Sequence, residues 1–278
     1  MKKVPSVLTI AGTDPTGGAG IHADLKTFQE CTAYGMAVVT SVVAQNTEGV
    51  RNYVNVSLEM LEEQIEAVFD DIYPDAVKTG MIATPEMIEK IASLLEKEDV
   101  PLVVDPVMVA TSGDSLMEKE TVQLMKERLL PLATIATPNI SEAEILIGKS
   151  IRSLKEAEEA AQQIVEETKV KATIVKGGHL TEEATDILYT DGKWERFSAP
   201  RTETKHTHGT GCTFSAAIAA KLARGRSIEE AVSESKTFIT NAIAETLAIG
   251  KGNGPVNHWA SRLKKSDIVV ENARQLEG

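Results

Sequence analysis

The chain has 278 residues, 42% of them hydrophobic and 25% charged, and its 29 Lys and Arg stand against 41 Asp and Glu for a formal net charge of −12. That acidic balance excludes a nucleic-acid binder, whose affinity rests on clustered Lys and Arg over phosphates, and the apolar content excludes a disordered chain. Cys31 and Cys212 make neither a disulfide framework nor a zinc-knuckle spacing, and a chain of this length needs no such staple for its core.

In chain order, Met1-Lys2-Lys3 and the apolar residues after them resemble a secretory signal. The apolar stretch is short, is interrupted by Pro5 and Ser6, and runs straight into Gly12-Thr13-Asp14-Pro15 without a small-residue cleavage site. A buried first strand over 7–11 is predicted instead. No other apolar run approaches the ~18 residues of a membrane span. The expectation is a cytoplasmic protein with no membrane and no nucleic-acid partner, in which the sequons at Asn55 and Asn139 carry nothing.

Further short apolar runs, most of them rich in Val and Ile, occupy 37–43, 76–77, 102–104, 134–136 and 173–175, as strands buried on both faces should. Amphipathic stretches lie between them. Ser57 precedes a helix to about residue 70, and Thr84-Pro85-Glu86 gives an N-cap, a proline at the first helical position and an acid in the first turn. Ser153 with Glu156, and Ser227 with Glu230, match the capping box. Asp191-Gly192 between the β-like runs 184–189 and 194–197 reads as a hairpin. Alternating strands and helices predict an α/β fold with a mostly parallel sheet in a single domain, 1–264, followed by a loose tail, 265–278.

Two glycine clusters stand out. The first, Gly12-Thr13-Asp14-Pro15-Thr16-Gly17-Gly18-Ala19-Gly20, formally matches the dinucleotide fingerprint at Gly18, Gly20 and Ala23. That fingerprint needs its first glycine in the turn leaving the strand and an acid ~20 residues on. Here six residues separate Ala11 from Gly18, and the amide Asn46 stands near the end of the second strand. An oxidoreductase is therefore disfavoured, and a loop whose backbone closely approaches a small ligand is expected.

The second cluster, His206-Thr207-His208-Gly209-Thr210-Gly211-Cys212, opens an alanine-rich helical pattern that ends at Gly225. Small residues at a helix start present unpaired N–H groups, a ready anion site, and the helix dipole there should favour the Cys212 thiolate. No G-x-x-x-x-G-K-[ST] string exists, so a P-loop enzyme is excluded. His206 and His208 have no further metal ligands in sequence reach, which leaves them structural or substrate-facing.

Four strand ends bring polar residues to the edge where open α/β sheets bind ligands: Lys78-Thr79-Gly80-Met81, Asp105-Pro106-Val107-Met108, Thr137-Pro138-Asn139-Ile140-Ser141-Glu142 and Lys176-Gly177-Gly178-His179. Asp105, Asn139, Glu142 and Lys176 suit a hydrated magnesium ion with nucleotide phosphates. Read singly, Ser141 is an N-cap and Glu142 a carboxylate favouring the helix dipole.

These residues resemble a known group. Thr207-His208-Gly209-Thr210-Gly211-Cys212 is similar to the ribokinase-superfamily signature D-T-x-G-A-G-D, with His206 and Cys212 replacing its aspartates, and Asn139-Ile140-Ser141-Glu142 is similar to its N-x-x-E motif. The ordered strings Leu8-Thr9-Ile10-Ala11-Gly12-Thr13-Asp14, Gly17-Gly18-Ala19-Gly20, Ala44-Gln45-Asn46-Thr47, Lys78 to Met81, Asp105 to Met108 and Lys176 to His179 resemble the bacterial hydroxymethylpyrimidine/phosphomethylpyrimidine kinases. The resemblance implies a ribokinase-like fold, a central mainly parallel sheet with helices on both faces, and a homodimer. It implies ATP-dependent phosphorylation of 4-amino-5-hydroxymethyl-2-methylpyrimidine and then of the product, with magnesium. By the same resemblance the pyrimidine lies near Gly12, Asp24, Gln45, Met81, Val107 and His208. Asp105, Asn139 and Glu142 serve the magnesium through water. Lys176, Asn139, Gly209, Thr210, Gly211 and Cys212 serve the phosphates, and Cys212 and Lys176 take part in the chemistry. Gly254-Pro255-Val256-Asn257-His258 resembles a segment on the nucleotide side.

A pyridoxal kinase on the same scaffold is the near alternative, disfavoured because Gln45 stands where that subgroup resembles methionine. A sugar or nucleoside kinase is disfavoured by Cys212 and by the lack of an obvious lid insertion after the first strand. A non-catalytic vitamin-binding protein is the alternative of another class.

Overall fold

A computed structural model describes residues 4–108, 119–178 and 180–263. Met1-Lys2-Lys3, His179 of the fourth strand end and the expected tail 265–278 lie outside the described residues. Among the described residues the chain forms ten strands: β1 (Ser6–Ala11), β2 (Tyr34–Val39), β3 (Ser41–Asn46), β4 (Gly49–Asn55), β5 (Ala76–Thr79), β6 (Leu102–Val104), β7 (Ile135–Ala136), β8 (Ala172–Lys176), β9 (Ala184–Thr190) and β10 (Lys193–Ala199). Eight make one sheet in the order β10-β9-β8-β7-β6-β5-β1-β2. The pairs from β2 to β8 are parallel, and β9 and β10 complete the edge as an antiparallel hairpin. Its turn has Asp191 and Gly192 both at positive φ, the geometry Asp-Gly favours.

Helices cover both faces, so strand residues alternate between two apolar cores. Leu8 and Ile10 pack with α2 (Leu58–Asp71), α3 (Pro85–Leu95) and α6 (Leu154–Thr168) through Ile65, Ile91 and Ile164. Val7 and Val103 face the other way, toward Phe28 of α1 (Gly20–Glu30), Phe214 and Ile218 of α7 (Thr210–Leu222) and Val232 of α8 (Ile228–Ala244). This is the doubly covered parallel sheet expected from the alternation.

Local expectations are met at Ser57 and Thr84, whose side chains accept from the N3 amides, and at Ser227, which forms the full box with Glu230. Ser153 accepts from the Glu156 amide, but the Glu156 carboxylate takes the N–H of Arg152 instead of that of Ser153, so this box is only half made. The helix at 140 is capped by Asn139 and not by Ser141. Asn139 and Glu142 form a reciprocal capping box at the start of α5 (Ile140–Ile147).

The larger correction is at 37–43, expected as one buried strand. The chain leaves the sheet at Thr40, whose N–H bonds Ala11 O and whose hydroxyl bonds Met81 O. β3 then pairs antiparallel with β4, which was not foreseen, as a separate two-stranded ribbon standing off the sheet. Val43 is buried while Val42 and Ala44 are exposed, so β3 is a one-sided strand.

Candidate active site

The parallel strands end on one edge of the sheet, and the first turn of α7 meets them there. Gly209 is the N-cap, at φ 79, and no side chain caps the helix. A Cβ on Gly209 would collide with the carbonyl oxygen of Gly18, so the close approach of the two glycine clusters requires the left-handed conformation only glycine adopts freely. A Cβ on Gly211 would stand 3.3 Å from Lys176 Nζ and 3.6 Å from an Asp105 carboxylate oxygen. The ammonium and the carboxylate therefore sit directly against the helix start, where anions are favoured.

Lys176 at the end of β8 bonds Asp105 at 3.2 Å; Thr137 Oγ1 donates to Asp105 Oδ1 at 3.1 Å and Ser215 Oγ to Asp105 Oδ2 at 3.2 Å. Burial opposes ionisation of Asp105, but Lys176 and Lys78 outweigh it and hold the carboxyl below its ordinary range. Glu142 has the opposite balance. Burial pushes it up to about 7, Lys176 pulls it down and Asp105 adds to the rise. Asp105 and Glu142 thus both draw on the Lys176 ammonium beside the anion site, with Lys78 adding its field at Asp105. That shortage of positive charge fits a hydrated divalent cation reached through water, although Oε2 of Glu142 and Oδ1 of Asn139 are already engaged in the capping box. No cluster of three or more His, Cys, Asp or Glu suited to direct coordination occurs among the described residues.

Beneath the helix start lies a buried ion pair. Lys78 Nζ donates to Asp24 Oδ2 at 2.8 Å, Thr9 Oγ1 donates to the same oxygen at 2.6 Å, and both charged side chains are 0% exposed. Asp24 Oδ1 has no partner. Cys212, partly exposed, lies within the field of this pair. Burial nonetheless pushes its thiol up to about 11, with Lys78 pulling down and Asp24 and Asp105 pushing further up. The expected thiolate is overturned: the helix start does not offset burial beside two carboxylates.

The other end of the cleft gathers Gly12, Met81 and the ribbon. A Cβ on Gly12 would stand 3.5 Å from Ser41 O and 3.6 Å from both Met81 Sδ and a Val43 methyl. Val107 is partly exposed just beyond Asp105 on the neighbouring strand end. Gln45 lies past the irregularity between Ala44 and Gln45, and its side chain is among the groups that lower the Asp14 carboxyl. Asp14, fully buried, also takes the N–H groups of Thr16, Gly18 and Ala19, the Thr16 hydroxyl and, at 2.8 Å, His208 Nε2. Against burial, these donors hold its carboxyl far below the usual range. His208, expected near a substrate, is engaged with this carboxylate, and the charge keeps the glycine loop wrapped.

The sequence placed Lys78 and Thr137 at ligand-facing strand ends and Asp14 in the first glycine cluster but gave none of them a role, and it did not single out Ser215. A lysine inside an apolar strand, Ala76-Val77-Lys78-Thr79, was the available signal for the first. The segment 254–258, expected on the nucleotide side, packs against the glycine loop: a Cβ on Gly18 would stand 3.0 Å from Pro255 and 2.6 Å from His208. His258 is buried, contacts Thr213 Oγ1 at 3.1 Å, and is pushed down to about 4 by that burial and by Lys26.

Comparison with known proteins agrees with this geometry. Residues 14–257 match the family model described as phosphomethylpyrimidine kinase. A hydroxymethylpyrimidine/phosphomethylpyrimidine kinase of Staphylococcus aureus (strain MSSA476) is 51% identical over 98% of this chain and 99% of its own. Among solved structures, a phosphomethylpyrimidine kinase from Clostridium difficile 630 superposes with a TM-score of 0.77 at 44% identity, covering 87% of this chain and all of its own. An ADP complex of Bacillus subtilis pyridoxal kinase superposes with a TM-score of 0.88 at 38% identity, covering 94% of this chain and all of its own.

Proposed function

The chain belongs to the phosphomethylpyrimidine kinase family, and from that membership we infer that it phosphorylates hydroxymethylpyrimidine and then the phosphomethylpyrimidine so formed, with ATP as donor. The observation that carries the reading within the structure is the uncapped start of α7 with Lys176 and Asp105 held against Gly211. Phosphoryl transfer asks for in-line placement and neutralised charge more than covalent chemistry. The amides from Gly209 to Cys212 hold the transferring group, Lys176 neutralises it, and Asp105 fixes Lys176. Glu142, Asp105 and Asn139 are the residues that would hold a hydrated magnesium ion, which would add to the neutralisation of the phosphates. The kinase domain is assigned to residues 1–264, and a cytoplasmic site suits an enzyme that draws on ATP and has both cysteines free. No described helix is long and apolar enough to cross a membrane.

The pyrimidine sits between Gly12, Met81, Val107 and Gln45. The Gln45 amide can meet the exocyclic amine through its carbonyl oxygen, while Asp24, expected near the pyrimidine, is held beneath by Lys78 and Thr9 with its side chain 0% exposed. ADP release in a coupled assay should depend on magnesium and favour the hydroxymethylpyrimidine over pyridoxal. Gln45→Met should lower that preference by about tenfold, the cost of about 1–3 kcal/mol for a buried polar group left unpaired. An unchanged ratio of kcat/KM would remove Gln45 from the specificity argument. No ADP release with any vitamin alcohol would favour the non-catalytic alternative.

The homodimer is assigned to the ribbon's outer face, where Val42 and Val54 pair across the strands at 58% and 67% exposure while Val43 turns inward. Sedimentation should give a dimer that Val54→Asp converts to monomer; a Val54→Asp protein that stays dimeric places the interface elsewhere.

A further inference from the structure

A two-stranded ribbon standing alone is marginally stable in water, yet β3–β4 carries Gln45 only two residues from its tip. The base of the ribbon is tied down: Thr13 N donates to Ser41 O at 2.9 Å and Val43 N to Thr13 Oγ1 at 2.9 Å. Its tip is tied by a different part of the chain, the glycine-rich stretch Gly250-Lys251-Gly252-Asn253-Gly254 after α8. Asn253 N donates to Thr47 O at 2.9 Å and Gly252 N to Thr47 Oγ1 at 3.1 Å. The approach is closer than any side chain allows: a Cβ on Gly250 would overlap the Thr47 side chain, and one on Gly252 would overlap the Thr47 carbonyl.

The same stretch continues into the phosphate corner. Gly254 O accepts from His208 N at 3.1 Å, Val256 N donates to His208 O at 3.2 Å, and His208 holds Asp14, whose carboxyl the nearby Gln45 side chain helps to lower. Gln45 is therefore set from two sides, by Asp14 within the glycine loop and by Thr47 at the tip, and both supports rest on residues 250–256.

We propose that Thr47 and the glycine loop 250–254 form a latch that positions Gln45 over the substrate pocket, making Thr47 and Gly252 positioning residues for pyrimidine recognition. The proposal rests on the reading that Gln45 meets the pyrimidine. The latch contact at Gly252 is made with Thr47 at the ribbon tip, whereas Lys176 and Asp105 are held to each other and by Thr137 and Ser215, so the contact acts on one substrate and not on the other.

The test is steady-state kinetics on Gly252→Ala, Thr47→Val and Thr47→Ser in the full chain, with amide hydrogen exchange of the ribbon and thermal melting alongside. Gly252→Ala should raise the KM for hydroxymethylpyrimidine about tenfold or more, leave the KM for ATP within about twofold, and speed exchange at residues 45–50. Thr47→Val, nearly isosteric but without the acceptor, should shift in the same direction by several-fold, and Thr47→Ser, which keeps the hydroxyl, should return to parent values. A folded Gly252→Ala with the parent pyrimidine KM overturns the proposal, as does an equal rise in both KM values. Faster ribbon exchange with no kinetic change also overturns it, since the latch would then position nothing. The reading of Gln45 fails separately, if Gln45→Met leaves the substrate ratio unchanged.

Discussion

Gly209→Ala is expected to lower kcat by about 10²–10³-fold while the protein still folds. Two costs act at this residue. An alanine at φ 79 loses about 1–2 kcal/mol to the left-handed conformation, and its Cβ collides with the Gly18 carbonyl oxygen. The helix start and the first glycine loop must then separate, which moves the amides of Thr210, Gly211 and Cys212 off the position of the transferring group. A displacement of about 1 Å is worth about 10² in rate, and loss of one aligned donor about 10²–10³. Gly225→Ala separates the two costs. Gly225 has the same backbone conformation, at φ 77, but no atom within 4 Å of its Cβ position, and it lies at the far end of α7. It should lower the melting temperature with kcat unchanged. If Gly209→Ala keeps kcat within about threefold of the parent while Gly225→Ala behaves as stated, the amides of α7 do not carry the transfer.

Much of this arrangement was legible because local rules and global fold agree. The Val- and Ile-rich runs, Thr84-Pro85 and Asp191-Gly192 each specify an element without tertiary help. The ribbon was not legible for a physical reason. Residues 37–43 are continuously apolar or small, so the period that tells a doubly buried strand from a one-sided one is hidden. The departure at Thr40 depends on bonds to Ala11 and Met81, distant in sequence. At 139–142 the sequence left metal ligand and helix cap both open, and the capping box engages Glu142 Oε2 and Asn139 Oδ1, atoms a metal reading would also call on. Asp14 was quoted within a motif but given no role, because its five donors come from its own loop and from a histidine 194 residues away. Charge balance in the floor was least visible of all. The helix-start argument for Cys212 considered its own element, whereas its ionisation is set by Lys78 from β5, Asp24 from α1 and Asp105 after β6.

That correction sharpens the expectation for Cys212, which the resemblance brings into the chemistry and which we take here as the candidate to receive the proton of the attacking hydroxyl. With its thiol pushed up to about 11, only about one molecule in 10⁴ carries the thiolate at pH 7. A base must lose its own proton before it accepts another. If free Cys212 is that base, kcat of the parent should therefore climb through pH 7 to 9, still short of the thiol's own titration. Cys212→Ala should remove this rise and lower kcat by about 10²-fold near pH 8, the lower part of the 10²–10⁴ range for general bases, with the KM for ATP little changed. The modest figure follows from the loose transition state, which asks little of a base until the new bond has advanced. Cys212→Asp should recover part of the rate with a flatter profile, because a carboxylate is ionised well below pH 7 even when Asp24 and Asp105 raise it somewhat. The backbone N–H at 212 survives each substitution, so the anion site is held constant while the side chain changes. If Cys212→Ala keeps near-parent kcat and the same slope with pH, the thiol is only a small group filling a tight helix start, and the rate belongs to the amides, Lys176 and the metal.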